Sequence, residues 1–117
     1  MAKEVSARIE QIADQLLEIL EEWRGSHQTL SREALCARIG CNDRQLRESA
    51  RQLRIRGYLI IADNKQGGYR FARNRSEVYK YTGRLKSRIK ELRVVAEAMD
   101  EVAMERYGPP TEQLSFL

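Results

Sequence analysis

The sequence predicts a mainly α-helical protein with a small β-hairpin, in which a short helical pair and the hairpin are flanked by long N- and C-terminal helices. Three observations lead there. Two long stretches repeat apolar residues at alternating spacings of four and three, which lays one buried stripe along a helix. Between them, residues 30–71 read as a short helix, a tight turn and an arginine-rich helix. Two short apolar runs around a polar loop ending Gly67-Gly68 then close the segment as a hairpin.

The first element runs from residue 3 or 4 to Trp23. Val5, Ile9, Ile12, Leu16, Ile19 and Trp23 form its stripe and Leu17 and Leu20 widen it. Glu10, Asp14, Glu18, Glu21 and Glu22 fill the other faces, so this helix is expected to repel a polyanion and point away from one. Gly25-Ser26 breaks it. Thr29-Leu30 is expected as a short strand beside the hairpin.

Ser31 can cap a second helix in which Ala34, Leu35, Ile39 and the stem of Arg38 fall at helical spacing, and Gly40 stops it in the left-handed conformation that glycine tolerates. After the turn, Asn42 or Asp43 caps a third helix whose Leu46, Ala50 and Leu53 recur at i, i+4 and i+7. Arg44, Arg47, Arg51 and Arg54 cluster about a third of a turn from that stripe. Four guanidinium groups in a row repel one another and gain most from a polyanion. Each offers a planar fork that fits phosphate oxygens and the O6/N7 edge of guanine. Gln45 could pair bidentately with adenine, and Asn42 sits where a helix N-terminus approaches a backbone phosphate. The helix over 43–56 therefore reads as a recognition helix; the competing reading is a solvated basic face. Gly57 ends it, the β-branched and aromatic run 58–62 and the run 69–71 predict the hairpin, and Lys65 and Arg70 are placed to touch phosphates.

The runs LSREALCARIG, NDRQLRESARQLRIRGY and GGYRF together resemble the winged helix-turn-helix domain of the biotin-operon-repressor type, common in bacterial and phage regulators. That resemblance covers about 45 residues. It implies binding to double-stranded DNA through the second helix of the pair, although some winged helices contact proteins instead.

Past a linker over 72–75, Ser76 is expected to cap another helix, with Val78, Tyr79 and Tyr81 packing on the core and Gly83 interrupting the pattern. Leu85, Ile89, Leu92, Ala96, Met99 and Ala103 then repeat the four-three spacing up to Tyr107, before Gly108-Pro109-Pro110. From residue 84 to 107 such a helix spans about 36 Å, longer than a small winged domain can cover. Its seam is expected either to pack on the first helix or, as the favoured arrangement, to pair with its copy in a homodimer, which would set two recognition helices on a palindromic site. The division that follows is 1–24 for the first helix packed on the domain, 25–75 for the winged helix, 76–107 for the C-terminal helices and 108–117 for a tail. Gln113, Leu114, Phe116 and Leu117 of that tail are similar to the peptide that bacterial replication and repair proteins insert into the sliding clamp, with Phe116 and Leu117 in reversed order. The resemblance implies the clamp or another replication protein as partner; the competing readings are a flexible tail that packs on its own domain and one that stays a frayed end.

Charge supports the nucleic-acid reading. The net charge is +4. Residues 1–24 hold three basic against six acidic residues, 25–75 eleven against four, and 76–117 seven against seven, so the excess sits in the winged segment. No run is apolar enough for a membrane span and the start lacks the apolar core of a signal peptide, so a cytoplasmic, non-membrane protein is expected. Cys36 and Cys41 are expected as reduced, small, buried side chains. With His27 the single histidine, no metal set is complete. No nucleophile, base or phosphate loop stands out, so neither an enzyme nor a cofactor is expected.

Overall fold

The computed structural model describes residues 2–25, 29–62 and 67–110, with the backbone alone for Ala2 and Lys3. It is mainly helical with one two-stranded antiparallel hairpin: α1 (Ala2–Glu22), α2 (Arg32–Ile39), α3 (Asp43–Ile55), β1 (Ile60–Ala62), β2 (Tyr69–Phe71) and α4 (Arg75–Tyr107). The chain divides into two compact units, Met1–Val78 and Tyr79–Leu117. Among the described residues no helix is long and apolar enough to cross a membrane.

The core of the first unit is assembled from one face each of α1, α2 and α3 and from the hairpin. Ile9, Ile12, Ala13, Leu16, Ile19 and Leu20 of α1 are buried. The expected stripe holds from Ile9 on, but Val5 at its start is 64% exposed. Trp23, one residue beyond the helix, is half-buried against the core. α1 packs chiefly on α3, and both helices bury small residues among the large ones. Ala13, Ser49 and Ala50 are fully buried there, and short side chains let two helix backbones come close. The Ser49 hydroxyl, which the apolar pattern passed over, donates to Gln45 O at 2.8 Å and lies 3.3 Å from Ile9 O. A buried hydroxyl is thereby satisfied within its own helix.

The caps follow the sequence closely in this unit. Ser31 Oγ accepts from Ala34 N at 3.1 Å, and Gly40 ends α2 at φ 83°. Of the α2 positions expected inside, Leu35 is buried, whereas Ala34 and Arg38 are exposed. Arg38 reaches outward to Glu22 at 3.1 Å, because eight residues give a single inward row. At the end of α3, Gly57 N donates to Arg54 O and Tyr58 N to Leu53 O, with Gly57 at φ 107°, a Schellman closure that only glycine takes without strain.

β1 starts at Ile60 rather than at Tyr58; Tyr58 and Leu59 are exposed, and Leu59 O accepts from Ala72 N at 2.9 Å just past the end of the ladder. Its register on β2 is Ile60 with Phe71, Ile61 with Arg70 and Ala62 with Tyr69. The strand expected at Thr29-Leu30 shrinks to one bridge between Ser31 and Gly68. A Cβ on Gly68 would lie 1.7 Å from Leu30 O, so this crossing demands glycine.

α4 departs from expectation in three ways. Asn74, not Ser76, is its cap, accepting from Glu77 N at 2.9 Å. The helix also runs without a break through Gly83, which the surrounding helix formers carry at a cost of about 1 kcal/mol. None of its side chains is buried: Val78 and Tyr81 are half-buried and Tyr79 is 63% exposed. It ends at Gly108, φ 75°.

Candidate nucleic-acid interface

The outward face of α3 is built by the inward one. Leu46, Ser49, Ala50 and Leu53 pin one side of the helix to the core, and at about 100° per residue Arg44 and Arg51 then stand on the side opposite, with Arg47 beside them. All three are exposed. Arg44 makes no ion pair among the described residues. Arg47 meets Asp43 at 3.0 Å, one turn back, and Arg51 meets Glu48 at 3.3 Å. Arg32, at the start of α2, approaches the same Asp43 at 3.7 Å and so joins this face. Sequence reasoning passed over Arg32; the signal was its place directly after the Ser31 cap. Four arginines against Asp43 and Glu48 leave the face positive. Exposed pairs of this kind contribute about 0–1 kcal/mol each, little enough for an incoming phosphate to displace.

Arg54 does not belong to that row. It is half-buried, donates from Nε to Ile60 O at 2.8 Å and stacks over Tyr69 at 5.6 Å. Its guanidinium ties α3 to the hairpin, which the helical wheel alone could not reveal. Arg70 is likewise turned from the expected phosphate contact. It forms a two-pronged pair with Glu77 at 2.9 and 2.6 Å, its side chain only 18% exposed. That fork, helped by the Arg73 N–H at 2.7 Å, holds the Glu77 carboxyl down to about 2.

Asn42 and Gln45 form a reciprocal capping box. Asn42 Oδ1 accepts from Gln45 N at 2.8 Å, and Asn42 N donates to Gln45 Oε1 at 3.1 Å. The amide oxygen that bidentate pairing to adenine needs is therefore engaged by the backbone, and both residues act as builders of the helix start. Lys65 of the loop, and Gln113, Leu114, Phe116 and Leu117 of the tail, lie outside the described residues.

Cys36 and Cys41 are free and half-buried rather than fully buried. Burial and a hydrogen bond donated by the Cys41 thiol to the neighbouring Cys36 push that thiol up to about 11, so it stays protonated at neutral pH and is a poor nucleophile. Among the described residues no group of His, Cys, Asp or Glu is placed to hold a metal ion. No protein-family model, curated protein or solved structure matches this chain.

Proposed function

We propose that this chain is a sequence-specific, non-catalytic DNA-binding protein of the winged helix-turn-helix kind, a bacterial or phage transcription regulator acting in the cytoplasm as a homodimer on palindromic sites. In this reading α3 enters the major groove, the hairpin is the wing, and Lys65 on its loop rests on the backbone. The exposed Arg44, Arg47 and Arg51 face, held outward by four buried residues on the reverse side of the same helix, carries the proposal. A helix so anchored presents charge without having to order it first, and it is followed at once by a hairpin. Arg44 is the strongest candidate for a base contact because no carboxylate among the described residues pairs with it.

Selection of bound duplexes from a random pool, followed by gel shift, tests this. A recurring motif is expected, with Arg44→Ala lowering affinity for it by about 1–3 kcal/mol, a factor of about 5 to 150. Failure to retard any duplex at low salt would overturn it.

A second reading makes the chain an adaptor in a replication or repair assembly, and its support is the clamp-like tail sequence Gln113-Leu114-Ser115-Phe116-Leu117. Deleting 113–117 separates the two. Loss of clamp pull-down with DNA binding intact favours the adaptor, and unchanged pull-down removes it.

A further inference from the structure

From the distribution of charge and apolar surface along α4 we infer that the second unit pairs with its copy in an antiparallel sense. This gives a direction to the homodimer of the reading above, on which it rests, and is independent of what α3 binds. Leu85, Ile89, Leu92, Ala96, Met99 and Ala103 form a heptad seam. Its large residues are exposed: Ile89 is 57% exposed, Leu92 63% and Met99 68%, with Val95 at 56% on the flank.

A second copy of the same helix fits the seam because α4 is charge-divided along its length. Residues 80–93 hold Lys80, Arg84, Lys86, Arg88, Lys90 and Arg93 against Glu91. Residues 94–107 hold Glu97, Asp100, Glu101 and Glu105 against Arg106. Side by side in parallel, each basic half would lie on a basic half and each acidic half on an acidic one. Turned end for end, the basic residues run instead towards the partner's acidic end, Arg88, Lys90 and Arg93 lying along the partner's 102–107.

In one register, which overlaps residues 88–107 of the two copies, a charge pair and the sizes of facing seam residues match together. With the two-fold axis between residues 97 and 98, Arg93 lies opposite the partner's Asp100, and Val95 opposite the partner's Val102. Leu92 faces the partner's Ala103 and Met99 the partner's Ala96, so each large core residue meets a small one, as interdigitating layers require. Sliding by one heptad puts Arg93 on the partner's Arg93 in one direction and Asp100 on the partner's Asp100 in the other.

Ser87 and Glu101 occupy the same outer heptad position two heptads apart, and both are exposed. In full-length protein with Cys36→Ala and Cys41→Ala, a spin label is placed at Ser87→Cys in one preparation and at Glu101→Cys in another. Light scattering gives the mass and pulsed dipolar spectroscopy the distance between copies. The antiparallel register predicts a dimer in which the axial offset is about 32 Å for the label at 87 and about 10 Å for the label at 101, so the first distance is clearly the longer. A dimer with equal distances at both sites overturns the direction and leaves the homodimer standing. A monomer at both sites, with the cysteine-free parent also monomeric, overturns both. Leu92→Glu, a change at an exposed position of the second unit, is expected to halve the mass; an unchanged mass would place the contact elsewhere.

Discussion

Gly68 and Glu77 show how much of this structure turns on single residues. Gly68 sits where the hairpin crosses the segment leading into α2, and an added methyl would collide with the Leu30 carbonyl at 1.7 Å. A flexible side chain could yield, but backbone on both sides cannot. Gly68→Ala is expected to cost at least about 2 kcal/mol in urea unfolding; a loss within about 0.5 kcal/mol would mean that the Ser31 bridge is dispensable. Glu77 titrates near 2 in the folded chain against an ordinary 4.5. Because the folded value is the lower one, its pairing with Arg70 adds stability in full above about 4.5, and that stability is lost as the pH falls towards about 2. Glu77→Gln is expected to lower stability at neutral pH and to flatten its dependence between those limits. An unchanged acid slope in chemical denaturation would show that the pair does not persist in solution. Neither residue's role could be read in advance, since each depends on which distant strand or helix end lies beside it.

At the scale of elements, legibility followed the range of the forces involved. α3 was readable because its start is a local reciprocal cap, its end a glycine closure, and its buried side a four-three repeat. Asn42→Ala removes both hydrogen bonds of that box and is expected to destabilise the fold by about 1 kcal/mol, with a matching fall in melting temperature; no change on thermal unfolding would count against the box. α4 was half-readable. Its run to Tyr107 stood out, but its unbroken passage through Gly83 did not, because one glycine penalty is small against the helix formers around it. Arg54 and Arg70 were misplaced for a different reason. A helical wheel and a strand pattern know nothing of the return of β2 beside α3, and that return places a carbonyl, an aromatic ring and a carboxylate within reach of the two guanidinium groups.

For the whole molecule, charge segregation organises the chain twice. The acidic residues of α1 lie away from the arginine face of α3, since α1 grips the opposite, buried side of that helix. α4 repeats the device along its own length, basic first and acidic after. The candidate face that survives is smaller than the sequence alone suggested: Arg44, Arg47 and Arg51 remain outward with Arg32 beside them, whereas Arg54, Arg70, Asn42 and Gln45 hold the scaffold. The measurement that bears most directly on DNA reading by α3 is the dependence of binding on salt. Full-length protein and the Arg44→Ala, Arg47→Ala, Arg51→Ala triple variant would be titrated on one selected duplex by fluorescence anisotropy over a range of salt concentrations. Each arginine that neutralises a phosphate adds about 0.9 to the slope of log affinity against log salt, so the triple variant should show a slope shallower by between about 1 and 3 together with weaker binding. An identical slope and affinity in a folded variant would mean that DNA does not touch α3.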